Sequence, residues 1–398
     1  MARLAALHGV TVLDLGQIYN GPYATFLMAM AGARVIKVES LLGETLRGRG
    51  QFNTGTYAFA MLNQQKESIT LNLKTEKGIT LFKQLVKQAD VVLENFGPDT
   101  MESLGLDSET LLEINPRLIY AAGSGYGRSG EQRDYLAMDI TVQAMAGVMS
   151  TTGIEDMAPL KAGPAISDFF GGIHLYGAVV TALLQRDKTG EGIVLDVAMQ
   201  DSVLPTLASV IGAYYFHDME VPPRTGNKHS GLALAPYNVY PSLDGYVSII
   251  CIRNSHWRAL VSAIGRPELV DEKKYETIPQ RAELMDEVDE IVSSWTSTRS
   301  KAEGLKVLQE CGVPSAMVRD VGEVLADSHL HDRGMLRDVK HPLLGDVTLP
   351  SSPINIAFGD TGEPDMEPDL GASNEAVYGE LLGLGADELQ ALKAERII

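Results

Sequence analysis

The sequence predicts an α/β protein. Its large domain should be an open, mostly parallel, Rossmann-like sheet, accompanied by a smaller α+β domain. Three observations carry this reading. Short runs rich in Val, Ile and Leu recur through the first 200 residues, helical stretches lie between several of them, and the texture changes near residue 222. Buried parallel strands read as near-continuous apolar runs because helices cover both faces, so this alternation points to strands joined by helical crossovers.

In chain order, strand-like Val10–Leu15 leads into helical Pro22–Met30, and Arg34–Val38 follows. Ser68–Leu73 is the next strand and passes through Lys74 into the helix Thr75–Gln88; Asp90–Glu94, Leu118–Ala121 and Ile193–Val197 continue the series. Before the last of these, Gly163–His174 opens a long apolar helical run through Leu175, Val179, Leu183 and Leu184 to Gly190. Pro222–Asn227 is a turn-rich boundary. Beyond it Tyr237–Tyr240 and Tyr246–Cys251 flank Asp244-Gly245, a hairpin signal because such a turn needs positive φ. Stretches 256–264, 281–298 and 301–310 read as helices with charged outer faces. Turn residues dominate Gly359–Pro368, and a last helix is expected near Ala386–Glu395. The expected domains are 1–210, completed by 331–398, and 225–330.

The net charge of −19, from 52 acidic and 33 basic residues, argues against nucleic acid or an anionic membrane as partner. No unbroken run of 18 apolar residues suggests a membrane span, and the N-terminus has no apolar export region. Two cysteines, Cys251 and Cys311, give no disulfide framework and no metal-type spacing. The cytoplasm is the expected compartment, and the scattered histidines predict no metal site.

Asp168 is the leading candidate for chemistry. It stands at a helix start just ahead of Gly171-Gly172, where small residues would let a substrate approach closely; on spacing alone the N-cap is the favoured reading, and the wider sequence overturns it. His174 lies six residues on, roughly 240° around the helix, and should not share a site with it. Gly123-Ser124-Gly125-Tyr126-Gly127 follows a strand, but Arg128 occupies the place of the glycine a dinucleotide loop requires. No nucleophile elbow of the Gly-x-Ser-x-Gly type occurs. Lys74, at a strand's carboxyl end, could serve an anionic ligand, and Asn95 and Phe96 end another strand with hydrogen-bonding and stacking capacity.

Taken together, the pieces resemble the family III CoA transferases. The matching segments are Leu13-Asp14-Leu15 with Gly21-Pro22, Gly32–Glu39, Leu71-Asn72-Leu73-Lys74, Glu94-Asn95-Phe96-Gly97-Pro98, Asn115–Tyr120, Asp139-Ile140 with Gln143–Gly147, and the Asp168 segment through Lys188-Thr189-Gly190. Arg224–Asn227, Ala235-Pro236-Tyr237, Gly312-Val313-Pro314 and Arg333-Gly334-Met335 extend the match over nearly the whole chain.

The resemblance implies a CoA transferase in which Asp168 is the covalent nucleophile, moving CoA from an acyl-CoA to a free carboxylic acid. Coenzyme A would be a substrate, with no resident cofactor or metal. It also implies CoA contacts at Tyr19, Asn20, Leu71, Asn72, Leu73, Lys74, Asn95, Phe96, Gly97 and Asp139, and an interlocked homodimer. Family arginines are replaced by Ser40 and Ser103, and a lysine by Leu136, leaving Arg47, Arg49 and Arg128 as alternative phosphate cations. The glycine-rich loop of formyl-CoA transferases is replaced by Cys251–His256, which argues against oxalate or formate as substrate. Two rival readings follow from the same residues. A 2-methylacyl-CoA racemase would need a histidine where Met138 stands, and a thioether moves no protons. A CoA-binding protein without activity is the other.

Overall fold

The computed structural model describes residues 5–48, 54–216, 222–354 and 364–398. Strands β1 (Thr11–Asp14), β2 (Arg34–Glu39), β3 (Lys66–Thr70), β4 (Val91–Glu94), β5 (Ile119–Ser124) and β6 (Ile193–Ala198) form one sheet in the order β3-β2-β1-β4-β5-β6. Every neighbouring pair is parallel. The order reverses between β1 and β4, so a crevice opens beyond their carboxyl ends, where open α/β sheets take ligands.

Alternation along the strands splits the core between the two faces. On one face Leu13, Ile36, Val92 and Tyr120 pack with Phe82 and Leu85 of α2 (Glu76–Val86) and with Val377, Tyr378 and Leu389 from the C-terminal segment. On the other, Val12, Val35, Val91 and Ile119 meet Ala24 and Met28 of α1 (Asn20–Met30) and Leu175, Val179 and Ala182 of α4 (Ile166–Thr189). Helix α3 (Asp139–Met145) precedes α4. By length and composition α4 could cross a membrane, although no unbroken apolar run announces it. Its place in the fold is that of a core helix, packed on α1 and on β5.

The chain forms two compact units. The first comprises Met1–Ala146, Gly163–Val203 and Ser328–Ile398; the second comprises Gly147–Ala162 and Leu204–Asp327. Residues 147–162 and 204–210, expected within the large domain, thus group with the second unit. There β7 (Tyr237–Ser242), β8 (Gly245–Ile250) and β9 (Ser315–Met317) make an antiparallel sheet around a core that includes Trp257, Leu260 and Trp295. The hairpin turn falls at Asp244-Gly245 as expected, and Gly245 has φ +148°.

Several elements differ from expectation. β3 starts at Lys66 rather than Ser68 because that lysine is buried in an ion pair with Asp14 (Nζ–Oδ2 2.9 Å), so a charged residue enters the sheet. Leu71 and Asn72 then leave the sheet; the Asn72 N–H donates to the Ile397 carbonyl. The antiparallel pair β10 (Leu336–His341) and β11 (Gly345–Pro350) was not anticipated. Much of the expected turn region Gly359–Pro368 lies outside the described residues.

Candidate active site

The site begins with buried charge beneath the loop after β1. Asp14 Oδ1 accepts from the Gly16 N–H (2.8 Å), and Oδ2 accepts from Lys66 Nζ (2.9 Å) and the Thr25 hydroxyl (2.8 Å). Burial alone would raise the Asp14 carboxyl; the ammonium groups of Lys66 and Lys37 outweigh it and hold Asp14 below its ordinary value. Burial is also the main cause that lowers Lys66, to about 8. Lys37 Nζ donates to the Gly16 carbonyl (2.8 Å), and the Ile18 N–H donates to Glu44 Oε1 (3.0 Å). Ile18 is held at φ +64°, a left-handed conformation that costs a β-branched residue about 1–3 kcal/mol. Across the crevice, Asn95 takes both main-chain polar groups of Gln17: its Oδ1 accepts from the Gln17 N–H (2.7 Å) and its Nδ2 donates to the Gln17 main-chain carbonyl (3.0 Å). The ends of β1 and β4 are thereby tied together at the point where the strand order reverses.

A cavity of about 690 Å³ opens there. Its wall includes Gln17, Ile18, Asn20, Asn95–Pro98, the glycine-rich turn after β5, Leu136, Met138, Met199 and Asp168.

Asp168 lies in the first turn of α4 and is about nine-tenths buried. It is not the N-cap. That position is Ala165, and Asp139 supplies the missing acceptor from α3, its Oδ1 receiving the Ser167 N–H (2.8 Å). The Asp168 carboxylate itself makes no hydrogen bond among the described residues. Burial first, and the neighbouring Asp139 charge second, push its pKa up to about 7.

The glycines following Asp168 serve helix packing rather than substrate approach. A Cβ on Gly171 would lie 2.1 Å from Asn20 Nδ2, and one on Gly172 would lie 2.8 Å from the Asn20 carbonyl oxygen. A Cβ on Gly123 of β5 would lie 2.4 Å from Asn20 Oδ1. Three glycines therefore make room for one buried asparagine, whose Nδ2 donates to the Asp168 main-chain carbonyl (3.3 Å). That carbonyl can only accept, which directs the amide nitrogen toward it. Asn20 Oδ1 is left without a hydrogen-bond partner among the described residues.

Residues 7–374 match the family model described as CoA-transferase family III. The chain belongs to this family. Among its relatives are a formyl-CoA:oxalate CoA-transferase of Streptomyces avermitilis, 35% identical with 99% of each chain covered, and a succinyl-CoA–D-citramalate CoA-transferase of Chloroflexus aurantiacus, 34% identical with 98% of each covered. A solved CaiB/BaiF family protein from Brucella suis is 32% identical, with a TM-score of 0.83 over 95% of this chain and all of that one.

Within this family III fold, the residues proposed for CoA fall into two groups. Asn20, Asn95, Phe96 and Gly97 line the cavity together with Asp168. Tyr19, Leu71, Asn72, Leu73, Lys74 and Asp139 do not. Tyr19 stacks on Phe169 with centroids 5.8 Å apart, Leu71 is core, and Leu73 packs against that core. Asn72 ties to the C-terminal residues through Arg396, whereas Lys74 is exposed at the end of that turn. Asp139 acts from beneath, through the first turn of α4.

Ser40 and Ser103 spend their hydroxyls on the Gly43 and Thr100 carbonyls. Of the alternative cations, Arg47 is engaged by Glu39 (Nε–Oε2 2.7 Å) and lies over Phe59, Arg49 is outside the described residues, and Arg128 is in the cavity wall. Cys251–His256 forms the connection after β8 and the start of the helix Asn254–Ala263. Sequence reasoning missed Glu94. Buried at the end of β4, it receives the Phe96 N–H (2.8 Å) and the Tyr120 hydroxyl (3.2 Å), and burial pushes it up to about 7. An acidic residue closing an otherwise apolar strand was the available signal.

Proposed function

We propose that this transferase moves CoA from an acyl-CoA to a free carboxylic acid through a covalent aspartyl intermediate on Asp168. The observation that supports it is the Asp168 carboxylate, nearly buried, free of protein hydrogen bonds and facing the cavity. An Asp168 oxygen adds to the thioester carbonyl, and the C–S bond breaks to give a mixed anhydride and CoA thiolate. The thiolate then adds to the aspartyl carbonyl, releasing the donor acid and leaving an aspartyl-CoA thioester. The acceptor carboxylate runs the same steps in reverse. Each step trades one activated acyl group for another, so no ATP is required. A buried carboxylate is weakly solvated, which favours attack, and exclusion of water by the bound substrates would limit loss of the anhydride. Mass spectrometry should find Asp168 converted to its hydroxamate when acyl-CoA is followed by hydroxylamine. A modification-free Asp168 under turnover would remove the covalent reading.

Met138, at the start of α3, lines the cavity and carries no exchangeable proton, which favours transfer over racemisation. Only the ionised form of Asp168 attacks, so kcat/KM should rise with pH through about 7. Asp139→Asn keeps an acceptor for the Ser167 N–H but removes the nearby charge. The ascending limb should therefore move to lower pH, read from a full pH–rate profile; an unmoved limb would rule out Asp139 as its cause.

Lys74→Ala is expected to raise the KM for the acyl-CoA donor roughly tenfold or more, if this exposed ammonium reaches a CoA phosphate. The acceptor KM should stay level. An interlocked homodimer, which the family resemblance implies, would persist on nanomolar dilution over hours in sedimentation velocity; rapid exchange with folded monomer would contradict threading.

A further inference from the structure

A buried lysine lies beneath the site and outside the cavity wall. The Lys66 side chain, at the start of β3, has no exposed surface, and four oxygens surround its Nζ. They are Asp14 Oδ2 (2.9 Å), the Pro22 carbonyl (3.1 Å), the Thr25 hydroxyl (2.8 Å) and Asn63 Oδ1 (2.9 Å). Each presents a lone pair. The Thr25 hydroxyl gives its own proton to Asp14 Oδ2 (2.8 Å), and Asn63 gives its amide nitrogen to the Phe59 carbonyl (3.0 Å). An ammonium meets these oxygens with three donors, whereas a neutral amine has two and turns its own lone pair on the rest.

What Lys66 holds leads to Asp168. Pro22 and Thr25 belong to the opening turns of α1, which begins at Asn20. Asn20 is wedged against Gly171 and Gly172 of α4 and donates to the Asp168 main-chain carbonyl (3.3 Å). Through Asp14 the same ammonium reaches the Gly16 N–H (2.8 Å), and so the Gln17-Ile18 part of the cavity wall. Gly16 has no slack, because a Cβ there would lie 2.9 Å from Pro22 Cδ. We propose that Lys66 is a positioning residue for the reaction: its ammonium fixes the start of α1 against β1, and the Asp168 turn keeps its reacting place only while that nitrogen is charged. This role rests on the transferase reading for what Asp168 does, but the packing it maintains is measurable without turnover.

The charges facing Lys66 are Asp14 on β1, Lys37 on β2 and Glu44 in the turn beyond β2. Neither α1 nor the helix Thr54–Leu62, which leads to Asn63, carries a charged side chain. Burial first lowers Lys66, to about 8; Asp14 and Glu44 oppose the shift and Lys37 adds to it. The ammonium is therefore lost as pH climbs through about 8, and kcat should fall over the same range.

The full-length protein tests the role in three ways. In a wild-type pH–rate profile, kcat should fall reversibly above about pH 8 while circular dichroism stays native. Glu44→Gln keeps an acceptor for the Ile18 N–H but removes a charge that favours the ammonium, so the falling limb should move to lower pH. Lys66→Met should lose the limb and lower kcat about 10²-fold, with donor KM changed less than about threefold. That variant leaves Asp14 buried and unpaired, so Asp14→Asn is combined with it. The double variant should melt higher than Lys66→Met yet stay as slow. A wild-type kcat without a falling limb overturns the proposal, as does a limb that Glu44→Gln leaves in place or a double variant with wild-type kcat. Hydrogen exchange at fixed pH reads the packing alone: in the double variant it should quicken in residues 16–25 and 166–172 and hold steady in β4 and β5. Unchanged or uniformly faster exchange overturns the role. Should wild type move CoA to no acid tested, the transferase reading fails, and the exchange pattern by itself upholds or overturns the hold of Lys66 on the Asp168 turn.

Discussion

Replacing Asp168 by alanine should abolish acyl exchange, lowering turnover by about 10⁴-fold or more, as expected for loss of a covalent nucleophile. CoA binding should persist, because Asn95, Phe96 and Gly97 line the cavity without touching this carboxylate's chemistry. The isosteric Asp168→Asn variant separates chemistry from folding. Asp168 is raised from an ordinary 3.8 to about 7, chiefly by burial. The folded state therefore holds a proton that the unfolded chain has released, and stability falls as pH climbs from about 4 to about 7. Above pH 7 the wild type carries the whole penalty, on the order of a few kcal/mol before screening by water in the cavity. Asp168→Asn, inactive, should melt at higher temperature than wild type at pH 8 and by a smaller margin at pH 5. Equal melting temperatures at both pH values would mean that Asp168 is not strained by burial. Retained acyl exchange in Asp168→Ala would sink the mechanism itself.

Much of the sheet was legible because its central strands are apolar runs with both faces covered, as in Val91–Glu94 and Ile119–Ser124. The boundary of β3 was not, because Lys66 is a charged residue that becomes a strand residue only through its tertiary partner Asp14. The same limit applies at the site. Asp168, Asn20, Asn95, Phe96 and Gly97 stood out in sequence and share one cavity, but the reasons were partly different from those expected. Spacing suggested that Asp168 might cap its helix; Asp139, 29 residues earlier in the chain, provides that acceptor instead, across a distance no local pattern encodes. The Gly123–Gly127 stretch failed as a dinucleotide loop, yet it forms cavity wall. A glycine-rich turn at a strand's carboxyl end was a sound pointer to the crevice, whatever the ligand. Leu71–Lys74 was placed by resemblance, and the structure leaves that segment outside the cavity, with Lys74 facing solvent.

The second large effect is expected at Gly171, where adding a single methyl group should disturb catalysis without touching a reacting atom. An alanine Cβ there would approach Asn20 Nδ2 to 2.1 Å and Met199 Cγ to 3.0 Å. Met199 is a flexible side chain and can yield. Asn20 cannot move freely, because its Oδ1 side is close against Gly123 and its main chain is close against Gly172. Strain must therefore pass into the first turn of α4, which carries Asp168. Overpacking of this kind costs about 1–3 kcal/mol, and displacement of a reacting group by about 1 Å can cost on the order of 10²-fold in rate. Gly171→Ala should accordingly lower both melting temperature and kcat, with donor KM less affected. A compensating change provides the test. Asn20→Ala removes the amide that the new methyl group strikes, so the double variant should be more stable than Gly171→Ala alone, with a coupling of about 0.5–3 kcal/mol between the two positions. Strict additivity of the two substitutions, in stability and in kcat, would show that the glycine is not there to accommodate Asn20, and would return the Gly-Gly pair to the substrate.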